Sequence, residues 1–422
     1  MTPYRDLFRS FGSIGLMSFG GPAAQIALMH RVLVDDRKWL SERDFLAALS
    51  FCMVLPGPEA MQLATWSGWR LRGTIGGLIA GLLFVLPGAA VVLALAAIYA
   101  AFGSLPWVQA LFMGVQAAVA IIVIEALLRV GKRALQGRAA RVLALLAFAA
   151  LFLLNAPFPL VILAAGLWGY ATARGTATPL PPPPRATHTL RTAALWLVIW
   201  LAPLAALWAA DAGLLAEIGL FFAKLAILTF GGAYAVLAWM AQAVVEDKGW
   251  LTLRQMMDGL GLAETTPGPL ILVTEFVGYL AGHRQGGWPL GLAAALVTLW
   301  MTFAPSFLMI FAGAPWIARI TAAPRLAGAL SAIMAAVVGV IGNLSVWFAA
   351  HVFFAEVARE SFGPLQLLTP DPASLRPGLV ALALLAGWML LRRHWPLPLV
   401  LAICAAGGLA LHLLAPHLPP TP

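Results

Sequence analysis

Two kinds of helix-breaking cluster recur in this chain, each set among uncharged polar side chains and carboxyls. The first is Phe19-Gly20-Gly21, flanked by Ser18 and Gln25. The second is Pro56-Gly57-Pro58, followed by Glu59 and Gln62, with Thr65 a turn further on. Farther along, Thr229-Phe230-Gly231-Gly232 precedes Tyr234, and Thr265-Thr266-Pro267-Gly268-Pro269 lies between Glu264 and the Thr274-Glu275 pair. Glycine costs a helix backbone entropy and proline removes a donor, so each cluster interrupts a helix. A helix that restarts after a break presents free N–H groups and a partial positive charge, which suits an anion. Hydroxyls and amides add neutral donors. A carboxyl would repel an anion unless protonated, and an apolar setting favours its neutral form. Glu59 and Glu264, then Glu125 and Glu275, are therefore candidate proton carriers.

Blander roles compete with these. Gly and Pro also serve as kinks and close contacts in membrane helices. One break would be read that way; four at matched positions favour a site. Glu59 fits an ordinary first-turn acid equally well. Lys224, in the apolar lead-in to Phe230, suits snorkelling to the interface slightly better than anion attraction. Glu125 has Arg129 one turn later as its simplest partner. The histidines show no metal-ligand spacing, and no phosphate-binding Walker loop is present. Cys52 and Cys404 give neither a disulfide framework nor a metal set, so no cofactor is expected.

The elements that position these clusters must be solvated by lipid. Of 422 residues, 62% are apolar and 10% charged, too apolar a balance for a soluble core of this size. The net charge of +9 comes from basic residues at the ends of apolar runs, the pattern of membrane orientation rather than of nucleic-acid binding. The runs cover about 7–30, 44–69, 74–102, 107–130, 141–155 and 157–173, then 192–210, then 218–245, 253–281, 288–314, 326–354, 377–391 and 396–414. An internal repeat relates them. A shift of 211 carries Phe19-Gly20-Gly21 to Phe230-Gly231-Gly232, Trp39-Leu40 to Trp250-Leu251 and Pro56-Gly57-Pro58 to Pro267-Gly268-Pro269. Beyond a loop near 283–287 the shift is 218 and carries Pro87 to Pro305 and Pro106 to Pro324.

The expected organisation is an N-terminal transport repeat (1–173), a linker with an extra membrane helix (174–217, stiffened by Pro179 to Pro184) and a C-terminal transport repeat (218–422). One added crossing between two halves of six turns the second half upside down. Charges agree. The loop holding Arg129, Lys132, Arg133, Arg138 and Arg141 suits the cytoplasm, and the loop holding Glu356, Arg359, Glu360, Asp371 and Arg376 suits the outside. The N-terminus is then cytoplasmic and the C-terminus external. Inverted repeats with discontinuous helices are a transporter architecture.

FGGPAAQ (Phe19 to Gln25), DDRKWLSERDF (Asp35 to Phe45), LPGPEAMQLA (Leu55 to Ala64) and FVLPG (Phe84 to Gly88) resemble the chromate ion transporter (CHR) family. LTFGGAYAVL (Leu228 to Leu237) and ETTPGPL (Glu264 to Leu270) do so as well, and the two-half form is similar to the family's long-chain type. The resemblance implies export of chromate, a tetrahedral dianion, across a bacterial inner membrane at the expense of the proton motive force, with sulfate as isosteric competitor. Two positions depart from the family pattern: Met53 stands where a small polar residue is expected and Glu275 where an amide is expected.

The expected fold is an all-α polytopic membrane protein of about 13 segments, in two inverted halves with broken helices. The expected function is proton-coupled secondary transport of an inorganic oxyanion, chromate first, with antiport and symport both open. Partners are that anion, or a sulfate-like one, and the bilayer, with no nucleic acid; a homodimer is one open oligomeric state. Sulfate, another oxyanion or a small organic anion are alternative cargoes. An intramembrane lipid-processing enzyme is a weaker alternative, because no His or Cys lies near the acids.

Overall fold

Runs of apolar helix formers, punctuated by Gly and Pro, give a chain that is almost entirely helical. The computed structural model describes residues 2–19, 21–173, 186–230, 233–317, 319, 323–363 and 365–414. Gly20, Gly231, Gly232 and the Pro179–Pro184 part of the linker lie outside the described residues.

The first half forms α1 (Tyr4–Met17), α2 (Gly21–His30), α3 (Glu42–Cys52), α4 (Glu59–Phe102), α5 (Pro106–Ala134), α6 (Arg138–Leu154) and α7 (Phe158–Thr172). The added segment is α8 (Ala186–Ala209). The second half forms α9 (Gly213–Leu228), α10 (Ala233–Gln242), α11 (Leu253–Thr265), α12 (Val273–Gly313), α13 (Pro324–Phe353), α14 (Pro377–Gly387) and α15 (Leu397–Leu414). Each expected break is present: α1 gives way to α2, α3 to α4, α9 to α10 and α11 to α12. One element departs from the all-helical expectation. β1 (Val357–Phe362) and β2 (Leu365–Pro370) pair antiparallel, with Val357 opposite Pro370, in the connection between α13 and α14.

Two of the helices are each a pair. In α4 the backbone turns at Arg72 (φ −145°) and Gly73 (φ +62°); in α12 it turns at Gly286 (φ −143°) and Gly287 (φ +66°). Only glycine takes such a positive φ freely, which fixes where each turn falls. Among the described residues six stretches are long and apolar enough to cross a membrane: Glu59–Phe102, Pro106–Ala134, Thr189–Ala209, Leu270–Trp316, Pro324–Phe353 and Leu397–Leu414. The protein is an all-α polytopic membrane protein.

The repeat reaches down to single hydrogen bonds. After α2 the chain enters a π-helical turn (Arg31–Asp36), and after α10 another (Ala243–Asp247). Each ends in a left-handed residue, Lys38 (φ +53°) and Gly249 (φ +59°). Trp39 N–H then donates to the Leu33 carbonyl, and Trp250 N–H to the matching Val244 carbonyl, both at 2.9 Å. A cation lies over each indole, Arg37 over Trp39 and Lys248 over Trp250.

The helices gather into two compact units. Unit one comprises 1–97, 173–236 and 266–327; unit two comprises 98–172, 237–265 and 328–422. Each unit takes segments from both sequence halves. Unit one is built around Phe11, Phe45, Phe51, Phe84, Phe222 and Phe276, all fully buried. In unit two, α5 packs on α14 and α15 through Ala118, Ile122, Ala386, Leu401 and Cys404.

Candidate substrate site

Within unit one the breaks of the two halves bond to each other crosswise. Ser18 closes α1 and Thr229 closes α9, both fully buried. Gly268 N–H donates to the Ser18 carbonyl at 2.8 Å, and Gly57 N–H donates to the Thr229 carbonyl at 2.7 Å. The two bonds are mates under the 211-residue repeat, so each Pro-Gly-Pro turn is tied to the helix end of the opposite half. Gly57 (φ +122°) and Gly268 (φ +94°) occupy backbone conformations that L side chains rarely adopt. Packing is tight there as well: a Cβ on Gly57 would lie 2.6 Å from Gln62 Nε2 and 3.0 Å from Ser306 Oγ, and one on Gly268 would lie 2.9 Å from Leu272 Cδ1, so those side-chain ends would have to shift. Gly88, in the middle of α4, lets that helix reach the second turn, for a Cβ there would meet the Pro267 carbonyl oxygen at 2.2 Å.

Amide side chains brace the turns. Gln25 Nε2 donates to the Gly268 carbonyl at 2.7 Å, and Gln62 Nε2 donates to the Pro56 carbonyl at 2.7 Å. Both glutamines are buried, and among the described residues neither Oε1 finds a donor. Other buried atoms of unit one share that condition: Ser10 Oγ, Trp66 Nε1, Thr302 Oγ1, Ser306 Oγ and both carboxyl oxygens of Glu275, which is 1% exposed. An unpaired buried polar group costs about 1–3 kcal/mol, so such atoms are normally satisfied by water or a ligand. Arg254 Nε is the single such side-chain atom of unit two among the described residues. Orphaned polar atoms therefore concentrate in the unit that carries the breaks.

The residues expected at the site divide by environment. Ser18, Gln25, Gly57, Pro58, Gln62, Thr229, Thr266, Pro267, Gly268 and Pro269 are buried. Gly21, Pro56, Glu59, Phe230, Tyr234, Glu264 and Thr265 are partly buried, and Phe19 is 44% exposed. Thr265, Glu264 and Tyr234 belong to unit one or two on either side of the division at 236 and 265, so they do not all join the crossed turns within one unit. The hydroxyls are largely spent on their own helices: Ser18 donates to Ile14, Thr65 to Met61, Thr229 to Leu225, Thr265 to Leu262 and Thr274 to Ile271. Glu125 pairs with Arg129, as the one-turn spacing predicted, in unit two. Lys224 is exposed on α9.

Sequence reasoning passed over Trp66, Thr302 and Ser306. The last two lie one turn apart on α12, in an otherwise apolar run, and read as polar glue between membrane helices. A signal was there: the 218-residue shift that pairs Pro87 with Pro305 pairs Gly88 with Ser306, and both approach a Pro-Gly-Pro turn.

The family model described as "Chromate transporter" matches residues 5–170 and 216–409, which is most of both halves. The chain is 35% identical over 351 residues to a chromate transport protein of Pseudomonas aeruginosa, covering 81% of this chain and 80% of that one. It is 31% identical over 350 residues to a chromate transport protein of Cupriavidus metallidurans, covering 80% of each. A probable chromate transport protein of Synechococcus elongatus is 29% identical over 407 residues, covering 96% of this chain and 94% of its own. No solved structure matches the chain. A polytopic helical membrane protein whose two halves both match one family model, with relatives aligned over most of their length, has its family settled: the chain belongs to the chromate transporter family.

Proposed function

We propose that this protein is a proton-coupled secondary transporter of a tetrahedral oxyanion, chromate first and sulfate as competitor, in a bacterial inner membrane. The observation that carries the reading is the crossed pair of Pro-Gly-Pro turns, set in the unit where buried polar atoms go unpartnered. The named relatives, called chromate transport proteins, supply the cargo. Two transport repeats (1–173 and 218–422) around an added helix (174–217) supply the twofold relation. Gly57 and Gly268 spend their N–H groups on the crossing, so they are not the ligands. The donors left for an anion are the Trp66, Thr302 and Ser306 side chains, which lie in the unit that carries the N-terminal end of α4. Such neutral donors bind a dianion without a buried arginine to hold it back.

Glu275 is the favoured proton carrier. It sits in the first turn of α12, 1% exposed, with neither oxygen hydrogen-bonded among the described residues. Glu59 and Glu264 are only partly buried, and each has an interacting partner. A protonated carboxyl tolerates a neighbouring anion and an ionised one does not, so binding of proton and anion would be linked. An intramembrane enzyme would need an orienting partner for such an acid, and Glu275 has none among the described residues. The test is flux of chromate and of sulfate into proteoliposomes, with and without a pH gradient. Uptake that accelerates with the gradient is expected; absence of flux of both anions under either gradient would overturn the reading.

A further inference from the structure

Unit two contains a cavity of about 210 Å³ walled by α5, α11, the end of α13 and the segment leading into α14. Two guanidinium groups line it, Arg254 from the first turn of α11 and Arg376 from the residue before α14, together with Gln116 and His351. Neither arginine forms an ion pair with a carboxylate among the described residues, and Arg254 Nε is buried without a hydrogen-bond partner. Burial, and then the charge of Arg254 beside it, pushes the Arg376 guanidinium below its ordinary value. Two like charges facing one cavity repel, and partly buried arginines without a carboxylate are costly near a membrane, so the arrangement calls for an anion between them.

The nearest carboxylate does not fill that role. Asp258, one turn beyond Arg254 and 1% exposed, gives one oxygen to Tyr99 Oη–H and the other to Gln116 Nε2–H, each at 2.7 Å. It offsets one of the two positive charges and fixes Gln116 at the cavity wall. His351 is held by a 2.8 Å hydrogen bond between its Nδ1 and the Trp347 carbonyl. The repeat accounts for Arg254, whose mate is Arg43, but not for its polar neighbours. The positions matching Asp258, Tyr99 and Gln116 are Ala47, Ile317 and Met334. The repeat therefore leaves Asp258, Tyr99 and Gln116 unexplained.

We propose that this cavity is a second anion site, taking a tetrahedral oxyanion between Arg254 and Arg376, in the unit that does not hold the crossed turns. Its volume admits about seven waters at roughly 30 Å³ each, or one sulfate-sized ion with part of its hydration shell. The same chemistry is offered by free sulfate and by the phosphate of an anionic lipid.

The full chain, purified in detergent, would be titrated with radiolabelled sulfate, and tightly held lipid would be identified by native mass spectrometry from bilayers with and without phosphatidylglycerol. In R254Q/R376Q one component of sulfate binding, or the tightly held phosphatidylglycerol, disappears; R376Q alone weakens it about tenfold, the scale of a hydrogen bond to a charged group. R254K/R376K, which keeps the charges, retains most of it and guards against a folding defect. Loss of sulfate binding identifies the free ion as occupant, and loss of lipid identifies the headgroup. This component is lost whether or not a further one remains at the crossed turns, so the outcome is independent of the transport reading. Superimposable sulfate curves and unchanged lipid retention in folded R254Q/R376Q overturn the proposal.

Discussion

A carboxyl with neither oxygen hydrogen-bonded, on a helix that begins at a Pro-Gly-Pro turn, has few structural uses. Glu275 helps no cap and bridges no partner among the described residues. Glu275→Gln is therefore expected to bind sulfate within a fewfold of wild type while losing the pH-gradient dependence of flux, because the amide mimics the neutral acid. Glu59→Gln and Glu264→Gln keep that dependence. Flux assays on the three variants decide it: a gradient response that survives in Glu275→Gln moves the coupling elsewhere. Gly88 gives a steric test. Alanine there would press its Cβ on the Pro267 carbonyl, whose backbone cannot swing away, so Gly88→Ala should cost about 1–3 kcal/mol as an overpacked contact and abolish flux. Unchanged unfolding and flux in that variant would show that α4 does not hold the turn. Gly21 is a useful contrast, since a Cβ there meets nothing within 4 Å and only its φ of +76° resists substitution. Legibility at this scale was uneven. Pro-Gly-Pro and the amides Gln25 and Gln62 announced themselves by type and spacing. That Ser18 and Thr229 act through their carbonyls, with hydroxyls turned back on their helices, is a matter of backbone geometry which residue type does not encode.

At the scale of elements, helix starts repeat as faithfully as helix breaks. Ser41 caps α3, its Oγ accepting from Asp44 N–H at 3.1 Å. Its mate Thr252 caps α11 with a reciprocal pair: Gln255 N–H donates to Thr252 Oγ1, and Thr252 N–H to Gln255 Oε1. Removing either hydroxyl orphans an N–H, so Ser41→Ala and Thr252→Ala should each destabilise by about 1 kcal/mol. The losses should add, because the caps lie on different helices in different units. Denaturant unfolding of the single and double variants in detergent checks both statements, and no shift in either single variant would deny the caps any role. The interruptions between α1 and α2, α3 and α4, α9 and α10, and α11 and α12 were readable because Gly and Pro punish helices wherever they stand. The β1–β2 hairpin was not, since Val357 to Pro370 carries charges without a clean alternation of apolar and polar residues. Nor were the π-helical turns, which appear as short stretches inside helices and have no composition of their own.

For the whole molecule, the decisive quantity is the parity of membrane crossings between the two repeats. An even number leaves the halves parallel, and an odd number inverts the second. The sequence supplies one added apolar segment, seen as α8, within which Thr189–Ala209 meets the length and hydropathy of a membrane span. The crosswise bonds between Ser18 and Gly268 and between Thr229 and Gly57 exchange the roles of the two halves, as a twofold relation requires. Charge separates the matched connections: the helix ends that flank the α5–α6 connection carry Lys132, Arg133 and Arg138, whereas the connection between α13 and α14 carries Glu356, Glu360 and Asp371 beside Arg359 and Arg376. Positive charge stays on the cytoplasmic side, so these connections should lie on opposite faces. Both native cysteines are buried, which leaves the background low for thiol labelling. In intact cells a membrane-impermeant maleimide should label a cysteine at Asp371 and spare one at Arg138, and inside-out vesicles should reverse the pattern. Labelling of both from one side would make the number of crossings between them even. The inverted repeat, and with it the twofold reading of the crossed turns, would then have to be given up.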